Sequence, residues 1–241
     1  DSIIKKITAD LNEKLNGELT IGNTDISIWS SFPNAGAVFF SVQLKDSLYN
    51  RPLLSVSKLQ CRISLFSLFS NNKVLSSLLI EGGALHLFTD TSGYTNKYLL
   101  KSDEKANSES TNSSLVNIHA LQFKNCSVLI EDSIREKKYQ FSFTELITPV
   151  ENDDSTIELK LSGAGFIRGL AFDIYNGTFF QNQSLGLKNI PLQFHKSSCK
   201  LSIGKSDFVI NNHPYSIEGY FNLKDSPSFF LMADVQNIKV S

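Results

Sequence analysis

From residue 19 onward, apolar and polar residues alternate along the chain in short blocks. In "AVFFSVQL" the apolar set is Val38, Phe40, Val42 and Leu44, and in "LQCRISLF" it is Leu59, Cys61, Ile63 and Leu65. The same period of two returns in "YQFSF" (Tyr139, Phe141, Phe143), "IELKL" (Ile157, Leu159, Leu161) and "CKLSI" (Cys199, Leu201, Ile203). It continues through Tyr215, Ile217 and Phe221 and closes with Phe229, Leu231, Ala233 and Val235. Successive side chains of a strand point to opposite faces, so these blocks predict strands with one dry and one wet face, typically antiparallel. Roughly a dozen strands fit, joined by turn signals such as "YNG" and "KDSP". At about 4.8 Å per strand they would make a sheet on the order of 55 Å across, too wide to stay flat.

Two segments break the alternation. In "DSIIKKITADLNEKLNG" the apolar residues Ile3, Ile4, Ile7, Leu11 and Leu15 follow helical spacing and Gly17 is a natural stop, which predicts one amphipathic helix over 1–17. Its stripe suits either a protein core or a lipid surface. The segment "KSDEKANSESTNSS", 101–114, has no apolar residue larger than Ala and reads as a solvated loop. The expected organisation is therefore a helix at 1–17, a first β region over 18–100, a polar loop at 101–114 and a continuing β region over 115–241 of the same domain.

Composition supports a β fold and narrows the partners. Phe is abundant (18 of 241 residues) beside one Trp and one Met, and Phe favours a pleated apolar surface. The net charge is −1, with Lys and Arg scattered singly. Nucleic acid requires a basic stripe that neutralises phosphates, so no nucleic-acid partner is expected. The densest basic run, "REKKY" at 135–139, reads as a hairpin tip. No run of 18 or more apolar residues exists to span a bilayer as a helix. The chain opens at Asp1 without Met and is read as a partial or processed form, with a signal or anchor expected ahead of it.

The search for chemistry returns little. His86, His119, His195 and His213 have no metal-ligand spacing, and Cys61, Cys126 and Cys199 lie far apart; the cysteines read as small buried hydrophobes, with one bridge left open. "GAGFIRG" at 163–169 imitates a dinucleotide loop, but its spacing is one residue too long and a strand follows where a helix is needed. Gly163 and Gly165 there read as relief of crowding at a bulge. Asp153 and Asp154 are adjacent on a loop and cannot flank a scissile bond. Neither a catalytic residue nor a cofactor or metal is expected.

One stretch carries more information, "LHLFTDTSGYTNKYLL" at 85–100. Gly93 suits a strand-ending turn and Asn96 suits a side chain that bonds backbone there. Upstream stands Phe32-Pro33 before an apolar strand, then Ser67-Leu68-Phe69, then this strand with Asp90, Gly93 and Asn96; a hairpin "LQFKNCSVLIEDSIREKKYQFSFTEL" follows the polar loop. That order resembles the N-terminal region of the AsmA-like family of Gram-negative envelope proteins. The resemblance spans most of the chain as a pattern, although the family's membrane helix and its long later portion are absent here.

The resemblance implies a mostly β fold: a large curled antiparallel sheet, a taco-like half barrel with an apolar inner face, preceded by the helix. It also implies a non-enzymatic protein that binds or conducts phospholipid acyl chains for outer-membrane biogenesis or homeostasis. Such a protein is expected in the periplasm, anchored to the inner membrane through a missing N-terminal segment. The expected groove residues are Val38, Phe40, Val42, Leu44, Ile63, Leu65, Tyr139, Phe141 and Phe143. Alternation alone also fits a closed β-sandwich acting as an adhesion or scaffold module, whose apolar faces pack on each other. The two readings differ in whether the apolar face is open.

Overall fold

The alternating blocks do form strands. The computed structural model describes residues 17–27, 34–46, 49–64, 74–96, 117–153, 155–222 and 228–235, and 78% of these lie in strands. In chain order the strands are β1 (Glu18–Thr20), β2 (Asn23–Ser27), β3 (Asn34–Lys45), β4 (Pro52–Ser64), β5 (Val74–Thr89), β6 (Asn117–Ile118) and β7 (Ala120–Asp132). They continue with β8 (Lys137–Asn152), β9 (Thr156–Ala171), β10 (Gln183–His195), β11 (Lys200–Ile210), β12 (His213–Asn222) and β13 (Ser228–Val235). The helix expected before Gly17 and the polar loop at 101–114 lie outside the described residues.

All thirteen strands belong to one sheet, ordered β1-β3-β4-β5-β7-β8-β9-β10-β11-β12-β13, with β2 also on β3 and β6 also on β5. The sheet is curled and does not close on itself. Every pairing is antiparallel except those of β5 with β6 and β7. A parallel neighbour needs a connection of a dozen or more residues to carry the chain back to the starting end, and the polar 101–114 segment falls within that connection. The remaining strands follow one another as a meander, with tight turns such as 133–136, where the "REKKY" run begins, and 211–212.

The curl has a local cause. Ser41, Gly82, Asn125 and Asn189 adopt left-handed backbone, with φ of 53°, 64°, 51° and 52°. They are neighbours across the sheet rather than scattered. Ser41 falls between the pairs Phe40↔Lys58 and Val42↔Val56, opposite Ser57. The Ser57 hydroxyl in turn donates to the Gly82 carbonyl at 3.3 Å, and Gly82 runs beside Asn125 between Glu81↔Lys124 and Ala84↔Ser127. The row goes on as a bulge at Thr144, inserted between Phe143↔Gly165 and Glu145↔Ala164. It then passes to Lys188–Asn189 facing Ser162 and to Gly204–Lys205 between Ile203 and Ser206. Left-handed residues and bulges both kink the strand that holds them, and kinks aligned in adjacent strands bend the sheet along the line that joins them. The result is a crease running across the strands.

Ser41 illustrates the cost of the crease. A left-handed residue other than Gly costs roughly 1–2 kcal/mol, and a β-branched side chain there is worse. Ser41→Val is expected to lower stability by about 1–3 kcal/mol, while Ser41→Gly should change it by less than about 1 kcal/mol because relief of strain offsets the added chain entropy. Urea unfolding of the two variants checks this; equal destabilisation would mean that the kink at Ser41 is not held.

Candidate functional site

Each kink does more than bend its strand: it moves the side-chain alternation by one residue. On β3 the residues that share a face are Ala37 and Phe39 before Ser41, then Val42 and Leu44 after it, as their partners Cys61, Leu59, Val56 and Leu54 show. The row continues through Leu78, Ile80, Gly83, Leu85 and Leu87 of β5 and Leu121, Phe123, Cys126, Val128 and Ile130 of β7. On β8 it comprises Tyr139, Phe141 and Phe143, then, past the bulge, Leu146, Thr148 and Val150. Ile167, Leu185, Ile190, Phe208 and Tyr215 carry it across β9 to β12. One apolar surface therefore extends from β3 to β12.

Burial identifies this surface as the concave side. Next to the crease its residues are well buried: Val42 6%, Val56 3%, Cys126 8%, Leu146 7% and Ile190 5% exposed. The kinked residues themselves, Ser41, Asn125, Thr144 and Asn189, together with Ser57, are exposed on the other side. Other apolar side chains of this face are only half-buried, as at Phe39, Leu59, Phe123, Phe141, Phe143, Leu187, Leu192 and Phe221. The arrangement is a trough: a packed floor and walls whose apolar faces keep access to solvent. The Phe141 and Phe143 rings stack at 6.4 Å and pack with Leu170, Leu187, Phe208 and Tyr215 around Ile167, Leu185 and Ile210. A second cluster, Leu44 and Leu53 with Leu19, Leu54, Leu85 and Leu87, forms the wall at the other end.

The convex side carries the ion pairs, interspersed with exposed apolar side chains such as Ile147, Phe166, Val209, Tyr220, Phe230 and Met232. Lys58 pairs with Glu81 at 3.4 Å and Lys124 with Glu145 at 3.7 Å, while the Gln122 amide donates to Glu145 at 2.9 Å. Further along, His86 Nε2 lies 2.7 Å from the Glu131 carboxylate, whose other oxygen meets Lys138 Nζ at 2.9 Å. Partial burial pushes the Glu131 carboxyl up, but the hydrogen bonds and charges of Lys138 and His86 outweigh it and leave the group below its ordinary value. These pairs are exposed or half-exposed and contribute solubility more than stability.

The nine groove residues expected from sequence divide in a particular way. Val42, Leu44, Tyr139, Phe141 and Phe143 share the concave face. Val38 and Phe40 lie on the convex one, because Phe40 pairs with Lys58 and Val38 with Gln60; Ser41 shifts the alternation between Phe40 and Val42. Ile63 pairs with Ala35 of β3, and Leu65 lies outside the described residues. Ala37, Phe39, Val56, Leu146 and Ile190 join the face without having been singled out. Each lies near a crease residue (Ser41, Ser57, Thr144 or Asn189) that interrupts the alternation, and residues of those types are ordinary on a wet face, so no local signal marks them.

Chemically, the surface can shelter hydrocarbon and little else. Among the described residues no three His, Cys, Asp or Glu side chains are placed to hold a metal ion. The cysteines are free; burial pushes the Cys61 and Cys126 thiols up, and Cys126 Sγ donates to the Lys124 carbonyl at 3.4 Å. A shallow depression of about 30 Å³ lined by Lys205, Ser216, Glu218 and Asp234 holds no more than a water. Among the described residues no helix is long and apolar enough to cross a membrane. No protein-family model matches the chain, and no curated protein matches it.

Proposed function

We propose that the protein is a non-enzymatic envelope protein of the AsmA type, which holds or conducts phospholipid acyl chains along its trough in outer-membrane biogenesis or homeostasis. On this reading it works in the periplasm, tethered to the inner membrane. One observation carries the proposal: an apolar face that runs unbroken across an open sheet while its wall residues stay half-exposed. In a sandwich core the same residues would be fully covered. Each methylene moved from water to an apolar surface is worth about 0.8 kcal/mol, so a 14-carbon chain gains roughly 11 kcal/mol before ordering costs. The eleven strands of the main path, spaced about 4.8 Å, make the trough about 48 Å long, enough for several lipids side by side. Their head groups would stay at the open mouth.

Native mass spectrometry with lipid extraction tests this. The purified protein should carry phospholipid, Phe141→Glu should lose at least about nine-tenths of it by placing a charge against the acyl chains, and Phe40→Glu, on the convex face, should keep it. A wild-type protein with a clean unliganded mass and no uptake from added phospholipid would sink the proposal and favour the scaffold module.

A further inference from the structure

Among the described turns, those at the two ends of the strands differ. At one rim, the end where β3 leads into β4, lie the turns 46–51, 90–96, 133–136, 172–182 and 211–212. This rim presents Ile134, Phe172, Ile174, Tyr175, Phe179 and Phe180 to solvent, with Tyr175 79% exposed. At the opposite rim the described turn residues, 153, 155 and 196–199, are Asp, Ser, Lys and Cys. Exposed loops are ordinarily polar, so the aromatic rim calls for a reason.

We propose that this rim docks on the interfacial zone of a lipid bilayer. Three observations favour a bilayer over a protein. Five of the six apolar side chains project from the single loop 172–182 and the sixth, Ile134, from the turn to which that loop is fastened, a protruding display for which a fluid receptor requires no matching shape. They are mainly aromatic, and the rings of Phe and Tyr settle at the boundary of headgroups and acyl chains, where the Tyr hydroxyl stays wet. Finally, the rim is continuous with the trough: Phe179 contacts Phe172 at 6.1 Å, and Phe172 contacts Tyr139 edge-on at 5.7 Å, beside Phe141 and Phe143 on the concave face.

The loop is built to hold this display. Leu170 and Phe179 exchange both backbone hydrogen bonds, at 2.9 and 2.8 Å, and the Ile174 amide donates to the Glu136 carbonyl at 2.8 Å, fastening the loop to the neighbouring turn. Asp173 caps the tip by accepting from the Tyr175 amide at 2.9 Å. Phe180 is left-handed, with φ of 50°, a conformation rarely adopted by so bulky a residue. Docking stands on the rim alone; only the passage of lipid from bilayer to trough rests on the function proposed above.

Co-sedimentation with vesicles of phosphatidylethanolamine and phosphatidylglycerol is the test. The wild-type protein should pellet with the vesicles. The combined variant Ile174→Ser, Tyr175→Ser, Phe180→Ser should partition about a hundredfold less, each lost side chain accounting for roughly fivefold. Should the triple variant unfold, Tyr175→Ser alone should still show its roughly fivefold loss. Phe141→Glu should pellet like wild type yet extract no lipid, so failure of docking and failure of the trough are read separately. A wild-type protein that stays in the supernatant overturns the proposal, as does a folded rim variant that pellets equally. Self-association of the wild type without vesicle binding, abolished in the triple variant, would assign the rim to a protein contact and overturn it too.

Discussion

Gly163→Ala is expected to lower stability by about 3–5 kcal/mol, enough to threaten the fold, whereas Gly186→Ala should stay within about 0.5 kcal/mol. Both glycines lie beside the crease, and both substitutions add the same methyl group. At Gly163 that methyl would stand 2.1 Å from the Glu145 carbonyl oxygen and 2.9 Å from Leu146 Cα. Those atoms are backbone of β8 just past the Thr144 bulge, so nothing flexible can move aside. At Gly186 the nearest atom is Val209 Cβ at 3.7 Å, an ordinary contact. Urea unfolding of the two variants measures the difference. If Gly163→Ala matched Gly186→Ala, the close approach of β8 to β9, and with it the bend at the crease, would not exist as described.

The β character, the turns and the one-sidedness were legible in the sequence because they rest on a period of two that survives within each block. Tyr139, Phe141 and Phe143 illustrate this: no kink intervenes, and the three share one face of β8. Tyr215, Ile217 and Phe221 on β12 behave likewise. The crease was not legible. It depends on single residues such as Ser41 and Asn125 taking left-handed backbone, which Ser does rarely, and nothing local distinguishes them from other polar residues on a wet face. One such residue exchanges the two faces of everything beyond it. Phe40 and Val38 thus fall opposite Val42 and Leu44 although the four follow perfect alternation. Gly163 was legible as a site of crowding, since a glycine inside a strand pattern usually marks a bulge or close approach. The aromatic rim was hidden for another reason: "FDIYNGTFF" contains turn residues and apolar residues together, and only the length of β9 decides that Phe172 onward leaves the sheet.

Asn96→Ala is expected to cost about 2–4 kcal/mol, unusually much for one side chain in a turn. The pairing of β4 with β5 begins at Leu54↔Leu85, so the last residues of β5 run past the end of β4. The turn after β5 supplies what β4 does not. Asn96, fully buried, accepts from the Phe88 amide at 2.9 Å and donates to the His86 carbonyl at 2.7 Å, and the Thr95 hydroxyl donates to the Phe88 carbonyl at 2.8 Å. One side-chain amide thereby reproduces the donor and acceptor of an absent strand residue. Gly93, at φ of 90°, lets the chain reverse so that this can happen, while Asp90 accepts from the Ser92 and Tyr94 amides. Removing the amide leaves a buried donor and a buried acceptor without partners. Asn96→Asp separates the two halves of the argument. A carboxylate can still accept from Phe88 but cannot donate to His86, and its charge is buried, which raises its folded pKa above the unfolded value. A raised carboxyl pKa means that the unfolded state releases its proton first, so stability falls as pH rises through that window. Asn96→Asp should therefore approach wild type in mild acid, where the protonated carboxyl donates again, and lose stability toward neutral pH, while the deficit of Asn96→Ala stays constant. A deficit of Asn96→Asp that is equally flat with pH would show that the His86 bond carries none of the stability assigned to it.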